Sequence, residues 1–554
     1  MSVLPRPALV SQQAVQPLPR VALWLLCAAY VLPGVFGRDP WRSADLVAFA
    51  QMQAMATGQS PWLDPTLGGL PTGAAWLPHW IGAWSIMAMQ GWLGPALAAR
   101  VPSALLLVLT LLGVWYACFH WARADDAQPL PFAFGGEAEP VDYARAIADG
   151  AVLALMATLG LLQLGHETTP ELAQLACTAL LLWGLAMAPR QPVRGAGFSL
   201  AALVLLAACG APMVALLIAL AAGSTLLLQR KEHYLAGALL VAAGAVVAAG
   251  WLNHAWSWRI DLADMRWPQA MRLARLLLWF AWPASLLALW TLWRWRSHLG
   301  QRHVLLPALT VAIALVACIT MGGSDRALLL ALPGLAVLAA FALPMMGRST
   351  SAAIDWFSVF FFTTCALAIW VVHVAVLTGV PAAPARNVAK LAPGFAAEAS
   401  VVLLAVGVSA TLAWVWLVRW RTRMHRPQMW KSLILPAGGV ALSWLLINTL
   451  WLPMLDYARS QRPLVNRLAP HLASAPCVAA PNQPWVLVAA LQVHGPWKVD
   501  ARPDTRSGAC PFMVRIVKAG SATDAPSGWR EVARERRPTD RTDVVAVYAR
   551  ASAP

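Results

Sequence analysis

Charge is scarce in this 554-residue chain. Charged residues make up 12% and acids number only 25, while hydrophobic residues reach 59%. A soluble domain carries roughly 25% charged residues, so a wholly water-soluble fold is excluded. Several signatures are missing as well. No Walker loop, dinucleotide fingerprint, nucleophile elbow or zinc-type cysteine spacing occurs, which removes nucleotide hydrolysis, Rossmann redox chemistry and structural zinc from consideration. Internal repeats and a regular series of charges within apolar segments are absent too, and alternating-access carriers are usually built from repeats. The first apolar stretch lacks a small-residue cleavage site, so it reads as a span and not as a signal peptide.

What is there is lipid-compatible sequence. A membrane span needs about 20 apolar residues. Thirteen stretches meet or approach that length: 22–36, 101–121, 144–162, 171–187, 196–209, 213–228, 234–252, 271–292, 304–319, 327–346, 352–377, 401–418 and 432–452. Two are short, 196–209 and 213–228, and read as a hairpin turning at Gly210-Ala211-Pro212.

The formal charge of +16 does not mark a nucleic-acid surface. The basic residues cluster in alternate loops: Arg6 and Arg20; Arg190 and Arg194; Arg230 and Lys231; Arg294, Arg296 and Arg302; Arg348; then Arg419, Arg421, Arg423, Arg426 and Lys431. This is the positive-inside pattern. It predicts a cytoplasmic N-terminus and, after thirteen crossings, a C-terminus outside. The expected domains are a membrane region over 1–453, with a long outer loop at 37–100, and a small outer α/β domain over 454–554.

Within the long loop, 45–57 predicts a short helix, and 76–92 is apolar and tryptophan-rich, as suits a membrane interface. The inner loop 122–142 predicts irregular structure. Beyond Pro453 a helix is expected over 457–473, β-segments around 485–493 and 512–517, and a last strand over 544–549. Six cysteines fall in apolar segments and read as packing. Cys477 and Cys510 both fall in the outer domain, where an oxidising compartment permits a disulfide or leaves two thiols.

Ionisable groups beside lipid are costly and mark function. Arg38, Asp39, Arg42 and Asp45 follow the first span directly. The set offers a carboxylate as general base or metal ligand beside cations suited to phosphate; a plain interfacial anchor is the alternative. His166, Glu167 and Glu171 crowd a turn between the third and fourth spans, where Glu171 serves equally as a helix cap or a cavity carboxylate. Arg326, beside Ser324 and Asp325, suits a lipid phosphate or simple snorkelling. His254, Arg259, Asp261, Asp264 and Arg266 read as a solvated loop.

These stretches together resemble a family. Gly37-Arg38-Asp39-Pro40-Trp41-Arg42 is similar to the loop opening of bacterial aminoarabinose-transferase-like and protein-mannosyltransferase-like GT-C glycosyltransferases. Asp45-Leu46-Val47-Ala48-Phe49-Ala50-Gln51 resembles their D-E-x-R-Y-A-E, with Asp45 on the catalytic Asp. Residues 58–65 (Gly-Gln-Ser-Pro-Trp-Leu-Asp-Pro) resemble G-D-W-x-x-P. Residues 98–104 match A-A-R-x-P-S-A, and residues 166–171 resemble H-E-x-x-x-D. Residues 326–333 resemble R-x-x-x-L-L-P, and Arg459-Ser460-Gln461-Arg462-Pro463 resembles a tail motif. Two elements depart: the family's E-K-P-P falls at 73–76 and its K-G-P at 209–212, and neither lysine is present here.

The resemblance implies an all-α polytopic membrane protein of GT-C fold, with about 13 transmembrane helices and a periplasmic α/β domain, in the bacterial inner membrane. It implies transfer of a sugar from a polyprenyl (undecaprenyl) phosphate to a periplasm-facing acceptor such as lipid A, another envelope glycan or a protein, without nucleic acid. Asp45 and Asp39 would be catalytic, and Arg42, Arg326 and Arg38 would bind the donor phosphate. His166, Glu167 and Glu171 would line the acceptor cavity. Asp45, His166 and Glu171 are candidate ligands for Mg, Mn or Zn. Rival readings are a polyprenyl-linked glycan transporter or flippase, and a non-catalytic homologue serving as an envelope scaffold.

Overall fold

The computed structural model describes residues 9–41, 43–73, 75–229, 232–252, 267–423, 428–473, 475–503, 510–520 and 525–551. Arg42 and the charged residues of the 254–266 loop lie outside that set. The chain divides into two compact units. One comprises Met1–Gly34, Ser103–Leu367 and Ala405–Asn448; the other comprises Val35–Pro102, Ala368–Leu404 and Thr449–Pro554.

The first unit is a helical bundle. Each expected apolar stretch carries helix, but length alone does not give thirteen crossings. Among the described residues of the whole chain, eight helices are long and apolar enough to span a bilayer, or nine if one bent pair counts as one span. That pair is the expected stretch 271–292: its halves, Ala270–Phe280 and Ala284–Arg294, meet at 88°. Pro283 stands at the break, where it has no N–H to continue the helical ladder. The stretch 144–162 also breaks, at Thr158, into Pro140–Ala157 and Leu159–Leu164. Shorter apolar helices, Arg20–Val31, Pro192–Ala208 and Pro212–Leu228, take three more of the expected positions. The chain is a multi-pass membrane protein.

Close approach within the bundle depends on small residues, because lipid offers no hydrophobic drive to separate packed from unpacked helices. A Cβ added at Gly184 would lie 2.6 Å from Ser199 Oγ, and one at Gly195 would lie 2.4 Å from Ala188 Cα. Any larger side chain at either position forces the Pro170–Met187 and Pro192–Ala208 helices apart.

In the second unit, the loop after the first membrane helix folds together with the C-terminal region. The helix Ser43–Ala56 buries Leu46 and Ala50 in one core with Leu464, Leu468, Val488, Leu491 and Val514. A small hairpin, Thr66–Leu67 with Leu70–Pro71, turns at Gly68 and Gly69. Gly68 has φ +57° and its carbonyl accepts the Ala501 N–H at 2.8 Å; a Cβ there would meet Ala501 and Val488 at 2.8 Å. The tryptophan-rich helix Trp76–Leu93 packs on the first through Gly82, where an added Cβ would fall on Met52.

The C-terminal sheet has five strands in the order Lys498–Asp500, Cys477–Ala479, Phe512–Lys518, Asp543–Arg550, Trp529–Glu535. The first three run parallel to one another, and the last two pairings are antiparallel. The segment expected as β around 485–493 is the helix Trp485–His494. Its run Trp-Val-Leu-Val-Ala-Ala-Leu-Gln-Val is apolar but for Gln492, and such short runs do not separate strand from helix by period. Helical spacing puts Leu487, Val488 and Leu491 together in the core.

Cys477 and Cys510 form a disulfide, with Cα atoms 5.1 Å apart and a sequence separation of 33. It joins the start of one central strand to the approach of its parallel neighbour. Closing a loop of that length stabilises by about 3–4 kcal/mol in the chain-entropy model. Cys477→Ala/Cys510→Ala protein in detergent is therefore expected to lose about that much stability in denaturant unfolding followed by tryptophan fluorescence. An unchanged midpoint would contradict this.

Candidate functional site

Two polar clusters hold the described residues among those expected from sequence, one in each unit. The first is built by the turn that precedes Ser43–Ala56. Asp45 lies in the first turn of that helix and is fully buried. Its Oδ2 accepts the Trp41 backbone N–H at 3.1 Å and faces Arg38 Nη1 at 3.4 Å. A helix N-terminus favours a carboxylate, and the N–H and guanidinium offset the loss of water. Arg38 is itself 3% exposed at its side chain and lies 4.9 Å over the Trp41 ring. Arg100, also buried, donates to the Arg38 carbonyl at 2.6 Å and the Val35 carbonyl at 3.4 Å. The turn carrying Arg38 is thus fixed from beneath.

Asp39 is arranged otherwise. Arg462 grips it with two hydrogen bonds, Nε to Oδ2 at 2.8 Å and Nη2 to Oδ1 at 2.6 Å, and Ser460 Oγ donates to Oδ2 at 2.7 Å. Both oxygens are occupied, so Asp39 fastens the loop to the C-terminal segment. Burial alone would raise its pKa, but the hydrogen bonds from Arg462 and Ser460 prevail and hold it below the usual carboxylate value. Asp456 completes the clamp. Its Oδ1 accepts the Asp39 N–H at 2.8 Å and the Trp41 indole N–H at 2.7 Å. Burial raises Asp456 despite those donors.

Asp456 and Arg462 were not expected to act here. Arg462 stood in a recognised tail motif without a role. Asp456 is the first acid after the last apolar stretch, a position that signals an interface, but its partner lies 417 residues earlier.

The second cluster belongs to the bundle. Arg326, expected on a phosphate, instead gives both terminal nitrogens to the protein: Nη2 to Glu167 at 2.6 Å, and Nη1 to Glu171 at 3.1 Å and Thr169 at 3.0 Å. Glu171 and Arg326 line a cavity of about 350 Å³ with Gln174, Ser324 and the turn at Gly210, Ala211 and Pro212. His166 is buried; its Nδ1 faces the Leu162 carbonyl at 2.7 Å and its Nε2 the Tyr30 carbonyl at 2.9 Å. Its ring lies 4.7 Å from that of Trp444. With both nitrogens on carbonyls, no lone pair is directed at a metal.

Among the described residues, no group of three or more His, Cys, Asp or Glu comes together as ligands. The metal candidates Asp45, His166 and Glu171 are engaged by Arg38 and Trp41, by two carbonyls and by Arg326 respectively. That donor set does not fit a divalent ion.

The clamp carries a pH dependence. Burial pushes His494 from 6.5 down to about 4, with Asp39 opposing the fall and Arg462 adding to it; its Nε2 is buried without a hydrogen-bond partner. A neutral folded His that charges on unfolding lets the unfolded chain bind more protons between those values. Its contribution is complete above about 6.5 and is lost as pH falls toward 4. The depressed Asp39 acts in the same direction at lower pH, whereas the raised Asp456 acts oppositely. Thermal unfolding midpoints are therefore expected to drop between pH 6.5 and 4.5, and His494→Gln to flatten that slope. An identical slope in the variant would refute the assignment.

Two solved structures align with nearly the whole chain. ArnT from Cupriavidus metallidurans bound to undecaprenyl phosphate shares 14% identity, covering 95% of this chain and 97% of its own, with a TM-score of 0.60. The same protein in the apo state shares 15% identity, covering 95% and 96%, with a TM-score of 0.59. The archaeal oligosaccharyltransferase AglB from Archaeoglobus fulgidus, in complex with an inhibitory peptide and a dolichol-phosphate, covers 87% of this chain and 64% of its own at 11% identity, with a TM-score of 0.44. No protein-family model and no curated protein sequence matches the chain. The likeness is one of architecture: the bundle and its small C-terminal sheet domain have the GT-C fold of ArnT.

Proposed function

We propose that this protein is a bacterial inner-membrane glycosyltransferase. It moves a sugar from a polyprenyl (undecaprenyl-type) phosphate to a periplasm-facing acceptor such as lipid A, another envelope glycan or a protein. The observation that carries the reading is Asp45: a fully buried carboxylate, held at a helix N-terminus beside the Arg38 guanidinium. Burying a charge is expensive unless it is paired, and function is the usual reason to keep one. The fold agreement with a protein bound to undecaprenyl phosphate supports the donor class.

In the proposed reaction an acceptor oxygen attacks the anomeric carbon while the bond from that carbon to the phosphate oxygen breaks. The electron pair leaves with the lipid phosphate, and the acceptor's proton passes to Asp45 as general base. Arg38 supplies positive charge where the leaving phosphate develops its own, with Arg42 in the same loop. Asp39, bound at both oxygens, is a positioning residue in this scheme and takes no proton. Glu171 lines the cavity of the bundle, Glu167 pairs with Arg326 and His166 faces two carbonyls; all three stay outside the bond changes.

A deletion strain complemented in trans tests the reading, with mass spectrometry of lipid A and envelope glycans as the readout. Wild-type protein should restore a sugar-sized mass that the deletion lacks. Asp45→Asn protein at equal abundance should restore it at a rate lower by about 10²–10⁴-fold, the worth of a positioned general base. Full restoration by Asp45→Asn would overturn the assignment, and an envelope unchanged by deletion would favour a scaffold.

A further inference from the structure

The cavity beside Arg326 has walls of opposite character. Glu171, Gln174, Ser324 and Arg326 supply polar groups, while Met213 and Leu330 are among its apolar lining. Its volume of about 350 Å³ lies in the range of small-ligand sites. The charges inside decide what it can take. Arg326 is the lining's cation, and its terminal nitrogens already serve Glu167, Glu171 and Thr169. One positive and two negative groups leave the cluster formally at −1, and Asp325 adjoins it in sequence. A phosphate would have to displace a carboxylate and then sit among like charges in a medium of low dielectric, where repulsion is strong. A cation is disfavoured too, because the guanidinium lines the wall and both carboxylates are paired.

An uncharged polyol meets neither obstacle. Ser324 Oγ accepts the Ala327 N–H at 3.3 Å, leaving its own proton to donate. Gln174 donates its Nε2 to the Cys209 carbonyl at 2.8 Å, and its Oε1 remains as an acceptor. Glu171 accepts and Arg326 donates. A hydroxyl both donates and accepts, so neighbouring ring hydroxyls match this alternation, and the C–H face of a pyranose matches the apolar wall.

We infer that this cavity is a binding site for a neutral sugar ring and not for a phosphate. The inference rests on the glycosyltransferase reading for its biological sense, and the test reads binding, not transfer. Full-length protein in detergent would be studied by saturation-transfer NMR with methyl α-glucoside, methyl α-mannoside and methyl α-galactoside, with inorganic phosphate and methyl α-glucosaminide as competitors. The expected result is transfer to the ring protons of at least one neutral glycoside. That signal should fall by about tenfold in Gln174→Leu/Ser324→Ala protein, as loss of two hydrogen bonds predicts, and neither competitor should displace it. Gln174→Leu alone should give an intermediate loss, which guards against misfolding of the double variant.

Displacement by phosphate or by the amino sugar would overturn the inference. So would the absence of transfer from every neutral glycoside, or a signal indifferent to the substitutions. Sugar binding here without Asp45-dependent transfer in the envelope would sink the enzyme reading and keep the site. Transfer in the envelope without sugar binding here would do the reverse.

Discussion

One buried carboxylate sets the terms for the second unit. Asp45 has no access to water, and an uncompensated charge in that position costs several kcal/mol. The offset comes from the Trp41 N–H, Arg38 and the helix N-terminus, and all three depend on the backbone of 38–45 holding one shape. That shape is imposed from outside the loop. Arg100 ties down the Arg38 carbonyl, Asp456 holds the Asp39 amide and the Trp41 indole, and Arg462 grips the Asp39 side chain. A loop after a membrane helix would ordinarily be mobile; this one is fastened to the C-terminal region at several points.

The same arrangement explains why the C-terminal region is more than an appendage. Its core includes Leu46 and Ala50 from the helix that carries Asp45, so the small sheet and the first loop fold as one body. The disulfide between Cys477 and Cys510 stiffens that body at the centre of its sheet. In the bundle the polar groups follow another rule. Arg326 gathers Glu167 and Glu171 into a paired cluster at a cavity wall, and His166 is spent on carbonyls beneath Trp444.

Much of this is legible in the sequence. Apolar length located the helices, because lipid leaves the backbone no other way to satisfy its hydrogen bonds. The motifs from Asp45 to Arg326 pointed to the fold seen in ArnT. What sequence could not supply was partnership over long separations. Arg326 reads as a free cation in sequence, yet its carboxylates lie 159 and 155 residues away. Asp39 and Asp45 look equivalent six residues apart, but Arg462, 423 residues on, makes one a fastener. The bend at Pro283 and the helix Trp485–His494 are not visible in the sequence, because short, mostly apolar runs carry little period to distinguish a break or an element type.

The proposed function requires the chemistry to occur at Asp45, with Arg38 facing the lipid phosphate. The most direct measurement is a cryo-electron microscopy structure of the full chain in nanodiscs containing undecaprenyl phosphate. The account predicts phosphate density within hydrogen-bonding distance of Arg38, with the Asp45 carboxylate alongside. Phosphate density seated on other residues, with Asp45 still closed on Arg38 and Trp41, would contradict it.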